Sequence, residues 1–255
     1  MYHFDVEKET SRCINWLKNW FSLHSGGANG AVLGISGGKD SAVAAGLLLR
    51  AIGRNRVLGL LMPNGEEDMA DAQNFCSDMR LRNVTINVCP IYEAALNAVR
   101  FGLAYTEITT SPQARLNLLP RIRASVLYAV GQSMGYRVTG TSNRSERFVG
   151  YTTKWGDTAC DFNPLANFTS DEVVSIGDYL GLPEHIVHKP PSDGLCGLTD
   201  EENLGFTYQD LNDYIHTRRC KDKDTALLIS RLHTWNQHKN RLPDAYVPAE
   251  LQANP

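Results

Sequence analysis

The 255-residue sequence has no long apolar run, no paired cysteines and no excess of positive charge, and each absence removes a class of function. No stretch approaches the roughly 18 apolar residues that a membrane-spanning helix needs. The N-terminal Met-Tyr-His-Phe-Asp-Val-Glu-Lys-Glu is acidic and lacks the apolar centre of a signal peptide. Six cysteines, at 13, 76, 89, 160, 196 and 220, never form C-x-x-C, so zinc, iron–sulfur and disulfide-framework readings lose support. Free thiols in a reducing cytoplasm are expected instead. A formal net charge of -3, with one short basic run at Arg218-Arg219-Cys220-Lys221, lacks the electrostatic footprint of a nucleic-acid binder. Neither G-x-x-x-x-G-K-[ST] nor G-x-G-x-x-G occurs, so the two commonest phosphate loops are missing too. There is no internal repeat, low-complexity segment or linker. With 42% hydrophobic and 21% charged residues, a single globular domain over residues 1–255 is expected.

What the chain does have is a turn suited to an anion. Ala31-Val-Leu-Gly-Ile35 has strand length, and Lys39 to Ala51 carries apolar residues at helical spacing, so Ser36-Gly-Gly-Lys-Asp-Ser41 links a strand to a helix. Gly37 and Gly38 allow close approach of a ligand, the first helical N–H groups point out of the turn, and the helix dipole favours negative charge there. Asp40 adds a carboxylate that a divalent cation could bridge to a phosphate.

Further elements follow in alternation. Helical patterns over Asp5–His24, Glu66–Met79, Pro90–Phe101 and Pro112–Met134, the last with a possible break at Pro120, interleave with strands at Arg56–Met62, Val84–Val88 and Tyr136–Thr139. Gly140–Glu146 is expected as the loop leaving the last strand. After an irregular polar stretch from Tyr151 to Asp161, a capped helix at Ser170–Leu180, a long loop at 188–202 and helices at Tyr208–His216 and Asp224–Lys239 complete the chain. Alternation of this kind implies a doubly wound α/β fold, a mostly parallel sheet flanked by helices, with ligands beyond the strand C-termini. Both Ser36–Ser41 and Gly140–Glu146 fall there.

The S-G-G-K-D-S run resembles the PP-loop of the ATP pyrophosphatases, which have an adenine nucleotide alpha hydrolase-like fold. With G-T-S-N-R-S-E at 140–146, G-Y-T-T-K-W-G-D-T-A-C-D at 150–161, H-K-P-P-S-D-G-L at 188–195 and T-D-E-E-N-L-G-F-T-Y at 199–208, the chain resembles ammonia-dependent NAD synthetase over about Asp5 to Pro243. The resemblance implies a two-step amidation: the carboxylate of deamido-NAD attacks ATP to give an adenylate and pyrophosphate, and ammonia then displaces AMP to give NAD. It assigns ATP to Gly34, Ile35, Ser36, Gly37, Gly38, Lys39, Asp40 and Ser41, and to Thr141, Ser170 and Ser192. Deamido-NAD falls to Arg121, Lys154, Asp161, His238 and Lys239, and the cofactor Mg²⁺ to Asp40 and Glu146. It also implies a cytoplasmic homodimer whose partners are small molecules, without nucleic acid or membrane. No protein nucleophile is required, and the chain has no room for the amidohydrolase domain of glutamine-using relatives.

The chain departs from that pattern at Lys39, where glutamine is frequent, at Ser170, where a lysine commonly reaches the phosphates, and at Pro120 beside Arg121. Lys39 or Lys189 is expected to stand in for the missing lysine. Two other readings compete: a PP-loop enzyme that modifies tRNA, and a catalytically weakened nucleotide-binding paralogue.

Overall fold

The computed structural model of the protein describes residues 2–189 and 199–246; Ser192 and Cys196 lie outside the described residues. Four short strands, β1 (Gly30–Gly34), β2 (Val57–Leu61), β3 (Asn83–Thr85) and β4 (Tyr136–Val138), form one parallel sheet in the order β3-β2-β1-β4. Central β1 pairs on both sides, Ala31 with Val57 and with Arg137. The chain walks outward from β1 to β3 and then returns to place β4 on the other side of β1. The loops leaving β1 and β4 therefore diverge, and a crevice opens between them at the point where open α/β sheets bind ligands.

Helices cover both faces. Against one lie α1 (Val6–Leu23), α2 (Lys39–Ile52), α3 (Ala70–Asp78), α7 (Ser170–Tyr179) and α8 (Glu184–Val187), packed through Leu17, Phe21, Val43, Leu47, Phe75, Val173, Ile176 and Ile186. Leu119 and Ile122 of α5 (Pro112–Met134), with Tyr92 of α4 (Cys89–Leu103), cover Val32, Leu58, Leu60 and Val138 on the other. Each such leucine or isoleucine contributes about 1.5–3 kcal/mol when fully buried. A satellite core joins α6 (Arg144–Val149), α10 (Tyr208–Thr217) and α11 (Lys223–Asn236), with α9 (Asp200–Leu204) alongside.

The expected elements are present with local differences. Helix α3 starts at Ala70 rather than Glu66 because the acidic residues before it are used by the turn. Glu67 accepts from the Asn64 N–H at 2.9 Å and from Arg123 at 2.5 Å, and Asp68 from the Ala70 N–H at 2.8 Å. The third strand begins at Asn83 and leaves regular pairing after Thr85, although Ile86 and Val88 still donate to the Leu61 and Pro63 carbonyls. Helix α5 runs through Pro120 without a break. The backbone bond that proline forgoes is offset by packing: Pro120 is buried against Gly156, where an added Cβ would fall 2.8 Å from the proline Cβ.

Beyond β4 the expected loop coils into α6, started by a capping box in which Asn143 accepts from the Glu146 N–H and Glu146 accepts from the Asn143 N–H, both at 3.0 Å. The helix ends at Gly150 in the left-handed region (φ 68°), and a Cβ there would sit 2.1 Å from that of Asn236 on α11. Gly150→Ala should therefore lose about 2–4 kcal/mol in chemical denaturation, from backbone strain plus overpacking. A loss below 0.5 kcal/mol would show that the α6–α11 junction is not tight.

Candidate active site

The turn between β1 and α2 is closed by its own serines. Ser41 Oγ donates to the Gly38 carbonyl at 3.0 Å and accepts from the Ser36 N–H at 3.3 Å, while Ser36 Oγ accepts from the Gly38 N–H at 3.3 Å. No side chain caps α2, whose N-cap is Gly38 in an extended conformation. The first-turn amides and the positive end of the dipole are thus presented to an anion. Gly37 is required twice over: its φ is 79°, and a Cβ would lie 2.9 Å from Asp71 Cβ and 3.0 Å from the Ala72 N at the start of α3.

Beside this turn two carboxylates from different strand ends are tied together. Asn143, fully buried, donates through Nδ2 to Asp40 Oδ1 at 3.0 Å while its Oδ1 and N–H serve Glu146. Lys39 Nζ lies 2.8 Å from Asp40 Oδ2, and Asp200 approaches the same cluster, accepting from the Tyr208 hydroxyl at 3.0 Å. Burial works to lower the pKa of Lys39, but the neighbouring carboxylates, Asp40 first and Glu146 next, outweigh it and hold the ammonium charged above its ordinary value. Burial, followed by repulsion from Asp40, pushes the Glu146 carboxyl well above the usual carboxylate range. Among the described residues no three His, Cys, Asp or Glu side chains gather as a metal cluster by themselves. Two carboxylates with one counter-charge suit a hard cation that keeps phosphate and water oxygens as its other ligands, the usual habit of Mg²⁺.

A cavity of about 570 Å³ opens over both features, within the usual size of a small-molecule site. Gly34, Ile35, Ser36, Gly38, Lys39, Asp40, Ser41, Thr141 and Glu146 line it, joined by the apolar wall of Leu60, Met62, Ala124 and Leu127. Gly37 faces α3 instead, and Ser170 is buried with its N–H on Ser145 Oγ, away from the lining. Lys189 lines the cavity while paired with Asp71 at 2.6 Å.

None of Arg121, Lys154, Asp161, His238 and Lys239 lines the cavity. Two of them instead bind the 150–161 segment that forms part of its wall, and a third, Asp161, ends that segment. Arg121 donates to the Lys154 carbonyl at 3.2 Å, and Lys239 to the carbonyls of Gly150 and Thr152 at 2.7 and 3.0 Å. Asp161 accepts from the Val138 N–H at 2.7 Å, sealing the outer edge of β4.

Compared with known proteins, the sequence matches the model of the NAD synthase family over residues 9–243. The chain belongs to the NAD synthase family. A curated NH(3)-dependent NAD(+) synthetase from Carboxydothermus hydrogenoformans is 36% identical over 241 residues, covering 93% of this chain and 96% of that one. Among solved structures, an NMN synthetase from Francisella tularensis superposes with a TM-score of 0.86 at 32% identity, over 97% of this chain and 100% of the other. An NH3-dependent NAD synthetase from Campylobacter jejuni gives 0.76 at 28%, over 96% and 100%. As a member of this family the chain is an ATP-using ligase that forms a C–N bond in the ammonia-dependent synthesis of NAD. The tRNA-modifying alternative loses its ground.

At this candidate site, sequence reasoning missed Asn143, Arg123 and Asp200. Asn143 stands inside the G-T-S-N-R-S-E segment three residues before Glu146, the spacing of a capping box, and that signal was available. Arg123, fixed on the Met62 carbonyl at 3.0 Å and on Glu67, depends on tertiary packing and leaves no local mark. Because the folded-state pKa of Glu146 is raised, stability linked to it is full below the ordinary carboxylate range and falls as pH rises through the raised value. Glu146→Gln retains an acceptor for Asn143 and removes the buried charge. It should raise the unfolding free energy of the ligand-free protein at pH 7–8 by on the order of 1 kcal/mol. The gain should shrink as pH falls, because the raised carboxyl of Glu146 then takes up a proton and loses its own charge. A lower melting temperature at every pH would show the carboxylate to be a net stabiliser.

Proposed function

We propose that ATP binds with its triphosphate on the Ser36–Ser41 turn and its base toward the Leu60, Met62 and Leu127 wall, and that the acid of deamido-NAD enters over the 150–161 segment. The observation that carries this is the Asn143 amide joining Asp40 to Glu146 beside an uncapped helix N-terminus, at the divergence of the β1 and β4 loops. Asp40 and Glu146 would hold Mg²⁺, which when bound supplies charge neutralisation on the phosphate oxygens. The turn amides stabilise charge gathered as the nicotinate carboxylate attacks the α-phosphorus, and Ser36 and Ser41 hold the departing pyrophosphate. Ammonia then displaces AMP from the adenylate. Arg121, Lys154, Asp161, His238 and Lys239 serve the dinucleotide from the rim, Thr141 contacts ATP, and Ser170 acts by supporting α6 through Ser145 rather than by touching phosphate. Ser192 keeps its expected ATP role.

Self-association fits the surface. Helix α4 buries only Leu96, and Ile91, Val99, Phe101, Tyr105 and Ile108 on it and just after it are exposed. An apolar patch of that kind marks an interface, and we assign it to a homodimer. Single-domain organisation and a cytoplasmic setting complete the reading: the described cysteines are all free, and no described helix is long and apolar enough to cross a membrane.

A second reading concerns the acid substrate. The Francisella NMN synthetase superposes better than the Campylobacter NAD synthetase, 0.86 against 0.76, and the acid precursors of NMN and NAD carry the same pyridine carboxylate. Assays with ATP, Mg²⁺ and ammonium should release AMP and pyrophosphate, with kcat/KM for deamido-NAD at least about tenfold above that for nicotinate mononucleotide, a difference of about 1.4 kcal/mol. The reverse order would move the reading to the mononucleotide, and no AMP with either acid would refute it. Sedimentation equilibrium at tens of micromolar should give a dimer; a monomer would exclude the α4 interface.

A further inference from the structure

Lys39 stands where a cation is hardest to keep. It is the first residue of α2, at the positive end of the helix dipole, and only 6% exposed. A buried ammonium is costly there unless paired. Asp40 is its direct partner at 2.8 Å, Glu146 and Asp200 add to the negative field around it, and the Tyr208 ring centroid is 5.8 Å away.

Asp40 is engaged on both oxygens as a result, and its two partners differ in kind. Asn143 is fully buried and held at both ends of its amide, so it cannot leave without breaking the cap of α6. Lys39 is a compact charge on a flexible four-carbon stem. A divalent cation shared by Asp40 and Glu146 competes with that ammonium for Asp40 Oδ2, since two cations on one oxygen repel. A triphosphate on the adjoining turn changes the balance, because it offers Nζ an anion outside the acid pair.

We propose that Lys39 is an internal counter-ion, seated on Asp40 in the nucleotide-free protein and drawn to the triphosphate when ATP binds, so that the divalent cation enters only together with the nucleotide. The proposal rests on the reading of Asp40 and Glu146 as the cation's carboxylates. Lys39 thereby controls when the metal enters, by exchanging its contact with Asp40 for one with the triphosphate.

Mn²⁺ binding to the full chain, followed by the electron paramagnetic resonance signal of the free ion, tests it. Without nucleotide, Lys39→Gln should bind Mn²⁺ at least about tenfold more tightly than the wild type. Lys39→Arg, which keeps the charge, should match the wild type. With a non-hydrolysable ATP analogue the wild type should bind Mn²⁺ saturably, while Lys39→Gln should need about tenfold more analogue for half-saturation. Circular dichroism checks folding, and Lys39→Met replaces the glutamine variant if that one unfolds. If neither neutral variant gains nucleotide-free Mn²⁺ affinity while Asp40→Asn abolishes the Mn²⁺–analogue complex, the acid pair holds the metal and the role of Lys39 is refuted. If Asp40→Asn binds Mn²⁺ and analogue as the wild type does, the carboxylate reading falls and the proposal with it.

Discussion

Asp40 and Glu146 follow two different strands, and the buried amide of Asn143 ties them together while the Lys39 ammonium on Asp40 offsets their like charges. The Asn143 side chain donates to Asp40, accepts from the Glu146 N–H and, through its own backbone N–H, serves the Glu146 carboxylate. It is at once the cap of a six-residue helix and the brace between the two lips of the crevice. A buried polar network is favourable only when every member is satisfied, and here satisfaction requires β1, β4, α2 and α6 in their observed places. The local chemistry of the site and the global topology therefore specify each other.

Around the brace, the fold concentrates charge in a place that apolar packing alone would exclude. Lys39, Asp40, Glu146 and Asp200 gather beside the buried Tyr208, and the neighbouring turn leaves helix amides without a side-chain cap. Within this centre burial and the Asp40 charge disfavour the ionised form of Glu146, while the carboxylates favour the Lys39 ammonium. Such a centre is complementary to a ligand that brings both negative phosphates and a cation. Stability forgone at Glu146 in the empty site reappears as binding energy for a charged substrate, the usual relation at functional sites.

Much of this was legible in the residues. Strand-length apolar runs, a glycine-bearing turn and the alternation of elements lead to the parallel sheet, and the S-G-G-K-D-S and G-T-S-N-R-S-E segments both line or brace the cavity. What was not legible depends on partners distant in sequence. The acids before α3 look like helix starters until Arg123, 56 residues on, is seen to claim Glu67. Pro120 reads as a breaker until Gly156 is found packed on it. Nothing near Lys239 in sequence shows that its ammonium also holds two carbonyls 89 and 87 residues away, or that its burial lowers its pKa. Asn143 is the instructive case: it lay within a recognised segment, yet only the fold shows that its amide reaches Asp40, 103 residues earlier.

The most direct test is a crystal structure of the protein with a non-hydrolysable ATP analogue and Mn²⁺, located by anomalous scattering. Phosphates on the amides of residues 37–41, with a manganese peak between the carboxylates of Asp40 and Glu146 and Asn143 unmoved, are the expected result. A triphosphate lodged elsewhere in the cavity, or manganese bound away from that pair, would contradict the braced acid pair as the centre of the site.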